Sequence, residues 1–234
     1  MARRRPYQLR TRGGAGCELR PGTSDWWIFL KIFVFGYHQQ AKDDIRRSKV
    51  IVDIGANVVF FAVYAAAMNP EVEIHAFEPF PKNVAQLKKN LLLNSGRRIH
   101  VYPEAVADKT GVATLYFTPG DDSGCSLIEA KGQSCSVDVV GVNDLFNRCG
   151  IEKCDLLKMD CEGSELAILT ALPLPSWKIS GRSFWNTTCP GNWMRSRAFF
   201  RAQASSAKYW SKSTPCSPAA LDIRGAEKFR MSGS

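Results

Sequence analysis

Apolar residues between positions 49 and 172 are arranged in short runs that alternate with longer amphipathic stretches. The runs KVIVDI (49–54), EVEIHAFEP (71–79) and CDLLKMDC (154–161) are apolar enough to be strands covered on both faces, and helical patterns follow each of them. A further strand is predicted over IHVYPEAVA (99–107). Strands that alternate with helices predict an α/β fold with a doubly wound, mostly parallel sheet.

The chain divides into three parts by this pattern. We interpret residues 1–48 as an N-terminal cap segment, in which GTSD (22–25) precedes a predicted helix over residues 26–35. Residues 49–172 are the predicted α/β domain. Residues 173–234 show neither a helical nor a strand period, and we interpret them as a divergent basic tail that we expect to be disordered.

Two extra strands are predicted inside the α/β domain. GVATLYFT (111–118) and SVDVV (136–140) are rich in β-branched and aromatic residues. They flank the stretch PGDDSGCSL (119–127), which is interpreted as a polar loop.

The net charge of +9 first suggests a nucleic-acid partner, but its distribution favours another class of protein. Residues 1–50 contain 11 Lys and Arg against 4 Asp and Glu, and residues 173–234 contain 10 against 2. Residues 51–172 contain 10 against 16, so the most regular part of the chain is acidic. A nucleic-acid module carries its basic charge on the folded face that meets phosphate. The distribution therefore favours an enzyme that acts on a small molecule, with no nucleic-acid partner.

The remaining composition indicates a cytoplasmic protein without a membrane span. No apolar run reaches the roughly 18 residues that a span requires. The basic start, MARRRPYQLRTR, is not followed by the apolar region of a secretory signal. The eight cysteines include no Cys-x-x-Cys pair, which argues against a zinc site and a disulfide framework, so no metal is expected.

Polar residues interrupt the apolar pattern where the first two strands of the domain end. Asp53, Gly55 and Asn57 close the first strand, and Glu78 closes the second, 23 residues after Gly55. Gly55 permits a tight turn close to a ligand, and a carboxylate at Glu78 can accept both hydroxyls of a ribose. A dinucleotide needs further glycines for its pyrophosphate, which GANVVF lacks. The pattern therefore favours S-adenosyl-L-methionine as the cofactor, and an ordinary strand-to-helix turn is the alternative.

Five stretches in order, VIVDIGANVVFFAVYAA, EIHAFEPFPKNVAQLKKNLLLN, VYPEAVADKTGVATLYF, DDSGCSL and IEKCDLLKMDCEGSELAIL, resemble the FkbM family of methyltransferases. The resemblance covers about residues 19–172. It implies a Rossmann-like class I methyltransferase fold that uses S-adenosyl-L-methionine, and O-methylation of a hydroxyl on a sugar, other glycan or secondary metabolite.

The resemblance also implies the site residues. The cofactor-binding residues would be Asp53, Gly55, Ala56, Asn57, Glu78, Pro79, Glu104, Ala105 and Ser126. Asp160 and Glu162 would face the reactive end of the cofactor or the substrate, as the catalytic pair.

Several of these residues have a simpler structural interpretation. Asp160 can cap the helix that begins near Gly163, and Glu162 can be a first-turn acid that the helix dipole favours. Ser126 can be an ordinary loop residue. His75 and His100 lie within strands, where a core or surface histidine is expected, and nothing in the sequence nominates His38 as a general base.

The chain departs from the family at Val59, where the family pattern has glycine. A β-branched side chain at that position is expected to shift the cofactor pocket or weaken binding. An inactive or binding-only relative is therefore the second function considered, and a basic nucleic-acid module is the third.

The second departure is the tail, which lacks the family's fifth strand ending in a motif like Leu-Glu-Tyr-His. Read one frame over, the codons of Phe184, Trp185 and Asn186 must encode Leu-Glu, and the next triplet must encode Tyr or His, whichever synonymous codons are used. Our hypothesis is a shift of reading frame near residues 173–177, and the alternative is a diverged natural segment. Loss of the fifth strand would leave residues 154–161 as an open, apolar sheet edge.

Overall fold

The computed structural model describes residues 5–118, 121–128, 132–161, 163–172, 183–186 and 193–194. Within these residues there are six helices, a π-helical turn, Leu30–Val34, and a 3₁₀ turn, Gln39–Ala41. The helices are α1 (Asp25–Phe29), α2 (Lys42–Arg47), α3 (Phe60–Met68), α4 (Pro81–Leu92), α5 (Val142–Arg148) and α6 (Glu165–Ala171). The strands are β1 (Tyr7–Arg10), β2 (Gly16–Leu19), β3 (Val50–Ile54), β4 (Glu73–Phe77), β5 (Arg98–Tyr102), β6 (Ala105–Ala107), β7 (Gly111–Thr118), β8 (Asp121–Ser126), β9 (Gln133–Gly141), β10 (Leu156–Met159), β11 (Ser183–Asn186) and β12 (Trp193–Met194).

The main sheet has the strand order β12-β11-β10-β3-β4-β5. All its neighbouring strands are parallel except the β11–β12 pair. The chain runs outward from β3 to β5 and then returns to the other side of β3 with β10, so the strand order reverses between β3 and β10. This arrangement confirms the predicted doubly wound, mostly parallel sheet. Ligands bind at such a reversal, beyond the carboxyl ends of the strands.

Each face of the main sheet is buried, which explains why its strands are apolar runs rather than alternating patterns. Ile51, Ile74 and Leu156 face one core, which they share with α3. Val52 and Leu157 face the opposite core, which contains residues of α5 and α6.

Within the described residues, no helix is long and apolar enough to cross a membrane.

The structure corrects two predicted boundaries within the domain. The single strand predicted over residues 99–107 is two strands, because β5 ends at Tyr102 and β6 pairs with β9 in a second, four-stranded sheet. Pro103 lies at the break, where its missing N–H cannot continue the ladder. The predicted polar loop at 119–127 contains β8, which pairs with β7.

The N-terminal segment packs against α4 through buried side-chain amides. The Glu18 N–H donates to Asn90 Oδ1 at 2.7 Å, and the Gly16 N–H donates to Asn94 Oδ1 at 2.9 Å. Asn94 Nδ2 and Gln86 Nε2 donate to the carbonyl oxygens of Gly16 and Glu18. These side-chain amides form hydrogen bonds with the backbone of β2 along the edge that does not pair with β1.

The helix predicted over 26–35 is shorter than expected, since α1 ends at Phe29 and continues as the π-helical turn.

The tail contributes two strands to the main sheet. Ser183–Asn186 pair in parallel with Leu156–Met159, so β10 has neighbours on both sides. The expectation of an open β10 edge is therefore wrong, because a segment of the tail occupies the position of the fifth strand. Apart from 183–186 and 193–194, residues 173–234 lie outside the described residues, and the predicted disorder there stays a prediction.

Candidate functional site

The turn between β3 and α3 contains three residues in the left-handed region of backbone conformation. They are Gly55 (φ 75°), Asn57 (φ 52°) and Val59 (φ 72°). A Cβ atom on Gly55 would lie 2.0 Å from the carbonyl oxygen of Asp160, so only glycine fits there. Asparagine tolerates this conformation better than most residues. The turn therefore brings β3 and β10 together at the strand-order reversal.

Val59 is the strained member of this turn. It is the N-cap residue of α3, its side chain is fully buried, and its φ of 72° is unfavourable for a β-branched residue. The glycine of the family pattern would adopt this conformation without strain. The departure at Val59 thus concerns backbone conformation, because Val58 and not Val59 lines the adjoining cavity.

The amide groups of this turn are already engaged within the protein. The N–H groups of Gly55 and Ala56 both donate to the carbonyl oxygen of Phe77, at 3.0 and 2.9 Å. The Asn57 N–H donates to Glu78 Oε2 at 2.8 Å. The next two amides, of Val58 and Val59, donate to Asn57 Oδ1 and the Ala56 carbonyl. This turn therefore offers no set of convergent N–H groups for a pyrophosphate.

Glu78 joins the turn to the end of β4. Its Oε1 accepts a hydrogen bond from the Phe80 N–H at 2.9 Å, and its Oε2 accepts the bond from Asn57. The residue is only 5% exposed. Burial raises the pKa of its carboxyl, although the Phe80 and Asn57 amides oppose this shift. Oε1 also accepts a long hydrogen bond of 3.5 Å from Asn83 Nδ2. Oε2 keeps a further lone pair, so the carboxylate can still accept a hydroxyl hydrogen at the cavity wall.

Beneath the turn, Lys158 and Asp53 form a fully buried ion pair. Lys158 Nζ lies 2.7 Å from Asp53 Oδ1 and donates to the Gly55 carbonyl oxygen at 2.7 Å. Burial lowers the pKa of Lys158, but the carboxylates of Asp53 and Asp160 together outweigh it, and the pKa is raised. Burial raises the pKa of Asp53, and Lys158 opposes this. The sequence analysis did not identify Lys158. The one indication in the sequence was the presence of a lysine in an otherwise apolar strand.

A cavity of about 430 Å³ opens at the carboxyl ends of β3, β4 and β10. This volume is typical of a small-molecule site. Eight of the residues assigned from the sequence line it: Gly55, Ala56, Asn57, Glu78, Pro79, Glu104, Ala105 and Asp160. The N-terminal segment supplies part of the opposite wall, including Trp27, Lys31, Tyr37 and His38.

The other assigned residues lie elsewhere. Asp53 is fully buried under the turn and is not part of the cavity wall. Ser126 is buried between two lining residues, Cys125 and Leu127, and its Oγ accepts a hydrogen bond from the Ile128 N–H. Glu162 lies outside the described residues.

Asp160 does not cap helix α6. The N-cap position is Ser164, and the Glu165 carboxylate accepts the N–H groups of Cys161 and Gly163 at 3.0 and 2.8 Å. Glu165 therefore organises the loop after β10, and the Asp160 carboxyl is left at the cavity wall. At the other end of the cavity, Glu104 accepts a hydrogen bond from Arg148 at 2.6 Å, which balances its charge.

His38 and Tyr37 are site residues that the sequence did not nominate. The His38 ring is 2% exposed and packs on Phe61, with 4.9 Å between ring centroids. Burial, and secondarily the charge of Lys158, hold its pKa well below the ordinary value of 6.5. Burial, with the charge of Asp160, raises the pKa of Tyr37. The sequence could not reveal these residues because they precede the domain by more than ten positions.

Comparison with known proteins gives several methyltransferases. The chain is 26% identical over 181 residues to the 31-O-demethyl-FK506 methyltransferase FkbM of Streptomyces tacrolimicus, covering 64% of this chain and 70% of that protein. It is 27% identical over 185 residues to methyltransferase sdnD of Sordaria araneosa, covering 65% and 71%. It is 25% identical over 137 residues to the 2-O-methyltransferase NoeI of Sinorhizobium fredii, covering 51% and 56%.

Two solved structures are also similar. A precorrin-6y C5,15-methyltransferase from Geobacter metallireducens is 17% identical with a TM-score of 0.38, and the match covers 61% of this chain and 57% of that one. A putative caffeoyl-CoA O-methyltransferase from Staphylococcus aureus is 12% identical with a TM-score of 0.41, covering 74% and 68%. The methyltransferase FkbM domain family matches residues 53–186, more than half of the sequence. The chain belongs to the FkbM methyltransferase family.

Proposed function

We propose that this chain uses S-adenosyl-L-methionine to methylate a hydroxyl group of a sugar, other glycan or secondary metabolite. The observation that carries the proposal is the position of Glu78 beside the Gly55 turn, where both line one cavity at the strand-order reversal. Two relatives are named for O-methylation, of demethyl-FK506 and at a 2-O position, which supports a hydroxyl acceptor.

The chemistry of the cavity wall fits this cofactor better than a dinucleotide. The amides of the turn are engaged, and the carboxylates of Glu78 and Asp160 are acceptors on a wall that also includes Lys31 and Lys158. S-adenosyl-L-methionine carries a ribose, an ammonium and a sulfonium, all of which acceptors favour, and when bound it supplies an electrophilic methyl group. We assign Glu78 with Pro79 to the ribose, Glu104 and Ala105 to the adenine end, and the turn at Gly55, Ala56 and Asn57 to the methionine end.

The acceptor hydroxyl must lose a proton, and two cavity groups can take it. Asp160 presents a carboxyl at the end of β10, and His38 presents an imidazole whose lowered pKa keeps it neutral at neutral pH. We assign Asp160 to the reacting end of the site, with Glu162 as its proposed neighbour. We assign Asp53 an indirect role, in which it holds Lys158 beneath the turn. Ser126 is also assigned an indirect role, through its neighbours in the cavity wall.

Titration with S-adenosyl-L-methionine, using NADH as the matched ligand, tests the cofactor assignment. We expect saturable binding of S-adenosyl-L-methionine that changes little with salt, and no binding of NADH. A failure to bind S-adenosyl-L-methionine, or a preference for NADH, would contradict the proposal. A steep loss of affinity with salt would indicate a phosphate-binding protein instead. Transfer of labelled methyl groups to a panel of hydroxylated sugars and metabolites then tests the reaction.

The strain at Val59 favours a second candidate, a binding-only relative. In that case the chain binds the cofactor but does not methylate acceptors. The Val59→Gly variant distinguishes the two functions. If only the variant methylates an acceptor in the panel, while both proteins bind cofactor, the natural chain is the binding-only form.

A further inference from the structure

Three cross-strand pairs follow one another on one face of β4 and β5. In register order they are Glu73 with Arg98, His75 with His100, and Phe77 with Tyr102. The Phe77 and Tyr102 rings stack at the carboxyl end, and Tyr102 belongs to the core that contains α5 residues. The two polar pairs lie toward the amino end of the strands, opposite the end that carries the cavity.

The side chains of Glu73, His75 and His100 meet at this end. Glu73 Oε1 lies 3.0 Å from His100 Nε2 and 3.6 Å from His75 Nε2. One ligand atom from each residue lies within 4.8 Å of the others. In a tetrahedral zinc site with bonds of 2.0–2.1 Å, donor atoms are about 3.3 Å apart, so these separations bracket the required spacing.

The surroundings orient these ligand atoms. His75 Nδ1 lies 3.0 Å from the Tyr102 hydroxyl oxygen. In the tautomer that carries its hydrogen on Nδ1, His75 donates to the Tyr102 oxygen, and its Nε2 lone pair faces Glu73. A metal-bound histidine is usually held by such a hydrogen bond from its other nitrogen. Arg98 binds Glu73 Oε2, which leaves Oε1 for the cluster.

We propose that Glu73, His75 and His100 bind one divalent transition-metal ion of the Zn²⁺ type at the amino-terminal end of the main sheet. The His75 side chain is 5% exposed and fixed, whereas the His100 side chain is 49% exposed and turns to complete the site. The two rings stack at 25°, so this rotation of His100 is needed for both lone pairs to converge. Solvent reaches the site past His100 and supplies the fourth ligand. The ion ties edge strand β5 to β4 and stabilises the fold, independently of the cofactor cavity.

The test uses the full chain without a polyhistidine tag. Zn²⁺ is titrated in competition with a chromophoric chelator, and Co²⁺ is used as a spectroscopic substitute. We expect one equivalent of tight binding, visible d–d bands of a tetrahedral site without a thiolate charge-transfer band, and a rise in Tm with Zn²⁺. A thiolate band, or no saturable binding, would overturn the proposal.

Variants locate the ion. His100→Ala changes a half-exposed side chain, and we expect it to weaken Zn²⁺ binding at least tenfold. Glu73→Gln is the second ligand variant, and Glu71→Gln, an exposed acid two residues earlier, is its matched control. Tyr102→Phe keeps the ring but removes the acceptor for Nδ1–H, and we expect a 10–100-fold loss. Equal affinity in the natural chain and His100→Ala, or equal losses in Glu73→Gln and Glu71→Gln, would show that the ion binds elsewhere.

Discussion

Lys158 Nζ lies 2.7 Å from Asp53 Oδ1, and the same nitrogen donates to the Gly55 carbonyl at the start of the site turn. Both side chains are buried, and they occupy opposite positions in the register of β10 and β3. The pair therefore connects the two strands at the reversal of strand order. It also supports the turn, and Lys158 itself lines the cavity.

This pair predicts a strong dependence of stability on Lys158. The Lys158→Met variant leaves the Asp53 carboxylate buried without its cation, and we expect it to lower the free energy of unfolding by about 3–5 kcal/mol. Urea unfolding measures the loss. The matched variant is Asp53→Asn combined with Lys158→Met, which removes both charges and should unfold at a higher urea concentration than Lys158→Met alone. An equal loss in both would show that the charge on Asp53 is not the cause.

The conformation of Val59 predicts an unusual order of stabilities. Val59→Ala removes buried methyl groups but keeps a Cβ at positive φ, whereas Val59→Gly removes more side chain and relieves the backbone. Left-handed conformation costs a non-glycine residue roughly 1–2 kcal/mol. We therefore expect the glycine variant to be about 1 kcal/mol more stable than the alanine variant, the reverse of the order in helix interiors. If alanine is the more stable, the turn is not strained at this position. Titration of both variants also shows whether glycine tightens binding of S-adenosyl-L-methionine, as the family pattern predicts.

Cofactor binding is expected to depend on Glu78. Glu78→Ala removes the proposed ribose contacts, and we expect a loss of about 1.5–3 kcal/mol in the binding free energy for S-adenosyl-L-methionine, measured by calorimetry. The variant also removes the acceptor of the Asn57 and Phe80 amides, so its folded fraction must be checked by circular dichroism at the same temperature. Asp108→Asn, an exposed acid outside the cavity, is the control. Unchanged affinity in Glu78→Ala would remove the ribose assignment.

His38 predicts a loss of stability in acid. Its pKa in the folded chain is held below the ordinary value of 6.5, so the unfolded chain takes up the proton first as the pH falls. The stability that the neutral imidazole contributes is therefore complete above pH 6.5 and is lost progressively below it. His38→Gln should show a smaller decrease between about pH 7.5 and 5 in urea unfolding. Parallel decreases in both proteins would assign the acid sensitivity to other groups.

The buried amide of Asn90 is expected to matter more than its surface neighbours. It accepts the Glu18 N–H and donates to the Val58 carbonyl oxygen at 2.9 Å, so it joins the N-terminal segment to the site turn. Asn90→Leu leaves both backbone groups without that partner, and we expect a loss of about 1–3 kcal/mol for each buried group. Lys88→Ala on the exposed face of α4 is the control. Both substitutions raise helix propensity, so a loss of similar size in both variants would show that the two buried hydrogen bonds are not its cause.

The sequence by itself determined the core strands, their helices and the edge of the sheet that carries the site. Apolar runs such as Val50–Ile54 and Glu73–Phe77, and the turn chemistry of Gly55 and Asn57, are properties of neighbouring residues. Their pattern therefore indicates both the local structure and the family. Asn57 and Glu78, which follow β3 and β4, lie at the cavity because the carboxyl ends of parallel strands meet at one edge.

Only the tertiary structure decided which residues complete that site. Lys158 and Gly55 are 103 positions apart, and they meet because β10 inserts beside β3. His38 and Tyr37 reach the cavity because the N-terminal segment packs over it, and His100 reaches Glu73 because β5 aligns with β4 in one register. Contacts between distant segments also determine that the strand predicted over 99–107 breaks at Pro103, where β6 pairs with β9. They likewise determine that Ser183–Asn186 forms a strand beside β10. Strand order and register arise from contacts between distant segments, and a local pattern of apolar and polar residues is compatible with many such pairings.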